Sequence, residues 1–208
     1  MADSETRDSY HHGNLAEALI SAAIELVEER GFEQLSLREV AKRVGVSPGA
    51  PFRHFKTKAA LVTAMAEQAM VRFRAAVDQA VASAQTDDPI LGLEAIGRGY
   101  VSWALNNPTH FRIISSRSLV DFSNSPQLQA DNDAVRELMI EFIIRGQSSG
   151  RISPDLSVDA ILLSSRALAY GLARMWSDGH FREWHVKDDP ESAMHSSLNM
   201  FIRSLESR

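Results

Sequence analysis

Basic residues are concentrated in one short stretch of this chain. Between Ser36 and Lys58 there are six Lys or Arg residues against one acid, Glu39, a local net charge of +5. The six are Arg38, Lys42, Arg43, Arg53, Lys56 and Lys58. The whole chain has a formal charge of −5, so the remaining residues carry −10. A run of charge is also what an ordinary solvated surface shows, but a basic island on an acidic protein predicts a face that binds phosphate.

The elements that must position these cations are two short helices joined by a tight turn. Ser36 is placed to cap the first helix, with Glu39 completing a capping box. Gly45 supplies the left-handed backbone that ends a helix. Ser47 followed by Pro48 predicts the start of the second helix. This pattern predicts a helix-turn-helix, which inserts its second helix into the major groove of DNA.

The stretch from Leu15 to Leu61 resembles the DNA-binding domain of the TetR family of bacterial transcriptional regulators. It contains a first helix ending in Gly31-Phe32, then LSLREVAKRVGVS, then a short recognition helix and HFKTKAAL. The resemblance implies an all-α fold of about nine helices. It assigns residues 12–72 to a three-helix helix-turn-helix domain and 73–208 to a C-terminal helical bundle for ligand binding and dimerisation. The implied function is a DNA-binding transcriptional regulator, a repressor that a small-molecule effector releases from its operator.

The charge pattern and the resemblance together predict the residues that bind DNA. They are Ser36, Arg38, Lys42, Ser47, Gly49, Ala50, Pro51, Phe52, Arg53, His54 and Lys58. Small residues at Gly49 and Ala50, with Pro51, would allow close approach to base edges, while the cations contact phosphates. Pro51 also removes an early backbone hydrogen bond, so the second helix should begin irregularly or late. Phe52 lacks the hydroxyl of the tyrosine that most family members carry there, a group that commonly reaches a phosphate.

Two further segments connect this motif with the rest of the chain. Residues 1–13 lack periodicity and are predicted to be either an arm, with His11 and His12 making accessory DNA contacts, or a disordered leader. Asn14 is predicted to cap the first helix, and Thr57 a long helix that follows the motif. In the resembled architecture this long helix is the lever, because tilting it changes the separation of the two recognition helices in a dimer.

Aromatic and methionine side chains recur at helical spacing in the last two thirds of the chain, as expected of a core or of a ligand cavity. The predicted effector-binding residues are Tyr100, Trp103, Phe111, Met139, Phe142 and Tyr170. The helices expected over 156–178 and 190–205 resemble the pair that forms the family's homodimer. A dimer with two helix-turn-helix domains, its two reading heads, would bind a pseudo-palindromic operator in double-stranded DNA.

One part of the C-terminal region has a weaker resemblance to a subgroup of the family. The subgroup carries a Trp-x-x-x-His-Gly motif, where this chain has Arg166, Tyr170 and Gly171. Arg166 and Arg174 stand eight residues apart on one helical face. They would either bind an anionic ligand or pair with carboxylates at the dimer interface.

Composition and motif content exclude several other classes. The chain has no cysteine, which rules out disulfides, thiol catalysis and thiolate metal sites. No long apolar run and a polar, acidic N-terminus predict a cytoplasmic protein without a membrane partner. No nucleophile elbow, phosphate loop or zinc-protease motif occurs, so no enzyme, catalytic residue, cofactor or metal is predicted. The alternatives are a metal or acid/base cluster near His180 and His185, better explained as an interhelical loop, and a structural adaptor without DNA affinity.

Overall fold

The computed structural model describes the backbone of residues 5–207 and the side chains of residues 15–207. Within that part of the chain the regular structure is ten α-helices, one 3-10 turn at Phe122–Asn124 and one isolated antiparallel bridge between Ile152 and Glu206. The helices are α1 Glu5–Arg30, α2 Leu37–Val44, α3 Pro51–His54, α4 Lys58–Ala84, α5 Pro89–Asn106, α6 Pro108–Ser115, α7 Pro126–Ser148, α8 Val158–Ser177, α9 His180–Glu183 and α10 Pro190–Arg203. The predicted all-α fold class is confirmed. The helix beyond the expected nine is the short α9, which lies in a predicted loop.

The chain divides into two compact units. The first combines Met1–Ala69 with Thr109–Leu128, and the second combines Met70–Pro108 with Gln129–Arg208. The predicted boundary at residue 72 falls close to the first division, although the sequence did not indicate that Thr109–Leu128 packs with the N-terminal helices. The functional assignment of the two domains stays a prediction.

The first unit is built on the apolar faces of α1, α2 and the start of α4. Leu19, Val27, Val40 and Leu61 are fully buried there. The later segment is tied to α4 by two hydrogen bonds. The backbone N–H of Asp121 donates to Thr63 Oγ1 over 3.0 Å, and the Ser125 hydroxyl donates to Glu67 Oε1 over 2.7 Å. This packing gives the two helix-turn-helix elements a rigid base.

The predicted start of α1 is wrong. Asn14 was expected to be the N-cap, but the helix begins at Glu5 and runs unbroken through that position. The pattern of an asparagine before an apolar stripe is local, so it cannot tell whether the preceding residues are helical as well. The absence of regular structure expected for residues 1–13 is therefore wrong from Glu5 onwards, whereas contact of this segment with DNA stays a prediction. The side chains of His11 and His12 lie outside the described residues.

In the second unit α10 packs against both α5 and α8. Ile90, Ile143 and Met194 are fully buried in this unit. The backbones of α4 and α5 approach closely at Gly99, where an added Cβ would lie 2.9 Å from the Cα of Val77. A larger residue at this position would force the two helices apart, so glycine is required by packing rather than by backbone conformation.

Candidate nucleic-acid interface

The first helix of the motif is formed as its sequence predicts. The Glu39 backbone N–H donates to Ser36 Oγ over 3.2 Å, which confirms the predicted cap. Gly45 has φ +78° and its N–H donates to the carbonyl of Ala41, so the left-handed ending is confirmed as well. Both features are set by hydrogen bonds within a few residues, which explains why sequence alone was sufficient.

The second helix begins later than Ser47 and Pro48 predict. The Ser47 side chain was expected to cap it, but the Ser47 carbonyl instead accepts from the Ala50 N–H over 2.9 Å in a turn. The helix α3 spans only Pro51–His54, with Pro51 at its first position. A proline in that position loses no hydrogen bond, whereas in the fourth position of an earlier helix it would. The late start predicted from Pro51 is confirmed, and the cap at Ser47 is wrong.

Arg43 does not contribute its charge to the basic face. Its guanidinium donates to both carboxylate oxygens of Glu29, over 2.7 and 2.6 Å, and lies 3.5 Å from Glu25. The hydrogen bond from Arg43 holds the pKa of the Glu29 carboxyl below its usual value. Arg43 therefore joins α2 to α1. The charge count made from the sequence overstated the positive charge of the face by one, because it included Arg43.

Two of the predicted DNA-binding residues make contacts within the motif itself. The Lys58 ammonium is half-buried and donates to the carbonyl of Phe32 over 2.6 Å, which joins the start of α4 to the end of α1. Pro51 is buried as the first residue of α3, so its ring is not exposed for direct contact with DNA; that it allows close approach to base edges stays a prediction. Ser36 and Ala50 are half-buried.

The remaining predicted residues lie on the surface of the motif. The exposed ones are Arg38, Lys42, Ser47, Gly49, Phe52, Arg53 and His54. Phe52 is 42% exposed and so lies at the surface rather than in the core. Lys56 is also exposed, and the site prediction omitted it although it was counted in the charge run. The motif thus presents four cations, at Arg38, Lys42, Arg53 and Lys56, around a short helix with an exposed aromatic ring.

The second unit contains a mostly apolar cavity of about 60 Å³. Of the residues predicted to bind an effector, Tyr100 and Met139 line it. Trp103 and Phe142 are buried but are not part of its wall, and Tyr170 is 37% exposed. Phe111 is buried in the first unit. Helical periodicity identifies a buried face, but it cannot tell which buried face leaves free space.

Several wall residues lay outside the sequence prediction. Phe73 comes from α4, and Leu198 and Phe201 come from α10, a helix that the resemblance assigned to dimerisation. The prediction failed here because α10 packs on α5 and α8 and so contributes to the interior of its own unit as well.

Across residues 15–207 no three His, Asp or Glu side chains are grouped so as to hold a metal ion. His180 begins the short α9, and His185 follows it with φ +55°. None of the helices described combines the length and the apolar character needed to cross a bilayer.

A helix-turn-helix with exposed cations, followed by a separate helical unit, is the architecture of a DNA-binding regulator. Residues 19–65 match the family model described as bacterial regulatory proteins, tetR family. Residues 93–201 match the tetracyclin repressor-like C-terminal domain. The chain belongs to the TetR family, as its sequence predicts, and it is a DNA-binding transcriptional regulator rather than an enzyme.

Individual relatives agree with this assignment. The chain is 28% identical over 163 residues to the HTH-type transcriptional regulator UidR of Escherichia coli, covering 74% of this chain and 77% of UidR. It is 47% identical over 51 residues to the class C tetracycline repressor protein of Escherichia coli, covering 24% and 23% of the two chains. A solved structure of a protein of unknown function from Rhodococcus sp. RHA1 matches with TM-score 0.79 at 27% identity, covering 95% of this chain and 98% of that one.

Proposed function

We propose that this regulator is a homodimeric repressor that binds a pseudo-palindromic operator and leaves it when a small molecule occupies the second unit. Arg38, Lys42 and Arg53 contact phosphates, while Gly49 and Phe52 lie against the bases. Since its target is bacterial DNA, the protein acts in the cytoplasm. The absence of a hydroxyl on Phe52 leaves the phosphate contacts to the neighbouring cations and to His54.

The observation that carries the proposal is the difference between Arg43 and the other cations of the motif. Arg43 is held by two acids of α1. No carboxylate among residues 15–207 lies within 4.0 Å of Arg38, Lys42 or Arg53, and all three are exposed. Cations that are free of internal partners keep their charge available for phosphates, whose binding releases counterions.

The test is titration of labelled DNA from the region flanking the protein's own gene, followed by fluorescence anisotropy at several salt concentrations. The triple variant Arg38→Ala, Lys42→Ala, Arg53→Ala is expected to bind at least about a hundredfold more weakly. Its salt dependence should be lower by roughly three phosphate contacts per protomer, or about six for the dimer. The double variant Arg145→Ala, Arg151→Ala is the control, because both arginines lie in the second unit and pair with acids there.

The outcomes separate the proposal from its rivals. Unchanged affinity in the triple variant, with a normal thermal unfolding curve, would exclude this face as the DNA site. Affinity of the wild-type protein that does not depend on salt would point to a structural adaptor instead.

Release by an effector is supported by the helix α4. Phe73 of α4 lines the cavity in the second unit, and the same helix starts at Lys58 next to the DNA-binding motif. A ligand that moves Phe73 would displace α4 and thereby alter the spacing of two recognition helices in a dimer.

A further inference from the structure

One cation reaches the cavity of the second unit, whose wall is otherwise mostly apolar. Ile96 and Leu198 are among the apolar wall residues, and Arg166 of α8 belongs to the same wall. The guanidinium carbon of Arg166 lies 5.6 Å from the centroid of the Tyr100 ring, which forms another part of the lining. Stacking of a guanidinium on an aromatic face is electrostatically favourable and holds the cation at the edge of the cavity.

The two arginines of α8, Arg166 and Arg174, differ in their partners, although the sequence places both on one face of the helix. Arg174 donates through Nε to Asp178 over 2.7 Å, one turn further along the same helix, so its charge is matched locally. Arg166 has no carboxylate within ion-pair distance among residues 15–207. Of the two, Arg166 alone lines the cavity. Its charge is therefore available to an anion that enters there.

Tyr100 supplies a second polar group to the same wall. The residue is 6% exposed, and burial raises the pKa of its phenol to about 12, with the nearby Arg166 acting in the opposite direction. The phenol is therefore neutral near pH 7 and can donate its O–H. A guanidinium fork beside a neutral hydroxyl donor matches the two oxygens of a carboxylate. Ser165, the neighbour of Arg166, already donates its hydroxyl to the Ile161 carbonyl over 2.7 Å.

We propose that the ligand of this cavity is a monocarboxylate with an apolar body, its carboxylate held by Arg166 and Tyr100. Its role as the effector rests on the function proposed above, whereas its binding does not. The charge of the ligand follows from the wall, because the lining offers one cation, the exposed Arg166, which compensates one negative charge and so matches a monoanion better than a phosphate dianion. The apolar walls accept the hydrocarbon part.

The size of the cavity adds a mechanical consequence. About 60 Å³ is far below the roughly 300 Å³ or more of typical ligand sites, so the occupant must displace wall side chains as it enters. Met139 is flexible enough to yield. Phe73 contacts Tyr100 edge-on, with ring centroids 5.4 Å apart, so movement at Tyr100 is passed directly to α4.

Calorimetric titration of the full-length protein without DNA tests the proposal, with hexanoate, octanoate, decanoate and phenylacetate as probes. At least one of them is expected to bind, and octanamide, the neutral counterpart of octanoate, is expected to bind at least about tenfold more weakly than octanoate. The Arg166→Met variant should lose about tenfold or more in carboxylate affinity. Arg174→Met is the matched control on the same helix and should stay within about twofold of wild type.

Each result either supports or overturns the proposal. Failure of all four carboxylates to bind, equal affinity for octanoate and octanamide, or unchanged binding in Arg166→Met would overturn it. The Ser165→Leu variant narrows the cavity and leaves the charge of Arg166 unchanged, so the affinity for both octanoate and octanamide should fall. Unaltered affinity in this variant would mean that the ligand binds elsewhere. The two proposals are tested by separate measurements. If the proposed DNA site is wrong, the DNA titration without ligand shows unchanged affinity in the triple variant. If the proposed ligand class is wrong, the calorimetric titration without DNA shows no selective binding of carboxylates.

Discussion

At the scale of single residues, the basic stretch shows that equal charges in a sequence have different uses in a fold. Arg38, Lys42 and Arg43 are neighbours on α2, yet only Arg43 is held by acids of α1. Those acids, Glu25 and Glu29, lie outside the basic stretch, so a local charge count could not include them. The exposed cations of α2 and α3 are what a DNA backbone would meet.

The first prediction concerns the titration of Glu29. Its pKa is lowered in the folded protein, chiefly by the hydrogen bond from Arg43, so the pair stabilises the fold above the usual carboxyl pKa of 4.5. That contribution should be lost as the pH falls through the lowered value. In Arg43→Ala the Glu29 pKa is expected to return towards 4.5, as measured by a carboxyl-carbon NMR titration. Arg38→Ala is the control and should leave Glu29 unchanged; an identical shift in both variants would contradict the local pairing.

At the scale of helices, the sequence was most informative where a hydrogen bond closes within one turn. The caps at Ser36 and Thr57 follow from side-chain acceptors three residues before their donors. The late start of α3 followed from Pro51, but the cap expected at Ser47 was wrong. Two prolines, Pro48 and Pro51, compete for the first helical position, and only packing decides between them. The exposed cations could be predicted from the sequence, because their position follows from the local helical pattern. The burial of Pro51 and the hydrogen bond from Lys58 to the Phe32 carbonyl depend on tertiary packing and could not be predicted.

The second prediction tests the turn between α2 and α3 with a pair of glycines. An added Cβ would have no neighbour within 4 Å at either Gly45 or Gly49, but only Gly45 has positive φ. Gly45→Ala is therefore expected to lower the free energy of unfolding by about 1 to 2 kcal/mol through backbone strain alone. Gly49→Ala should change it by less than about 1 kcal/mol. Urea unfolding of both variants measures the difference, and equal losses would mean that φ at Gly45 is not the cause.

At the scale of the whole molecule, the last helices leave apolar side chains uncovered. Leu163 on α8 is 72% exposed and Met200 on α10 is 74% exposed. Both helices also contribute to the interior of the second unit through other faces, so their outer faces are free for a partner. Exposed apolar groups of this size on adjacent helices are typical of an interface rather than of a free surface. A second copy of the chain fits the two-fold operator proposed above.

The third prediction is that charge on this outer face separates the dimer. Leu163→Glu with Met200→Glu would bury two carboxylates from each protomer at the interface, and a buried charge without a partner is costly. The double variant should therefore be a monomer in sedimentation experiments at micromolar concentration, while its circular dichroism stays native. The variant Ile144→Glu is the control, because Ile144 is 50% exposed on α7, outside the helix pair assigned to dimerisation.

DNA binding by that monomer follows from the same geometry. One reading head makes half of the phosphate contacts, so both the affinity and its salt dependence should fall to those of a half-site. If the double variant remained a dimer, the outer face of α8 and α10 would not be the dimer interface. If it became a monomer and still bound the full operator with wild-type affinity, the two-headed arrangement would be wrong. The single head, with its four exposed cations, would then have to account for the whole of the DNA affinity.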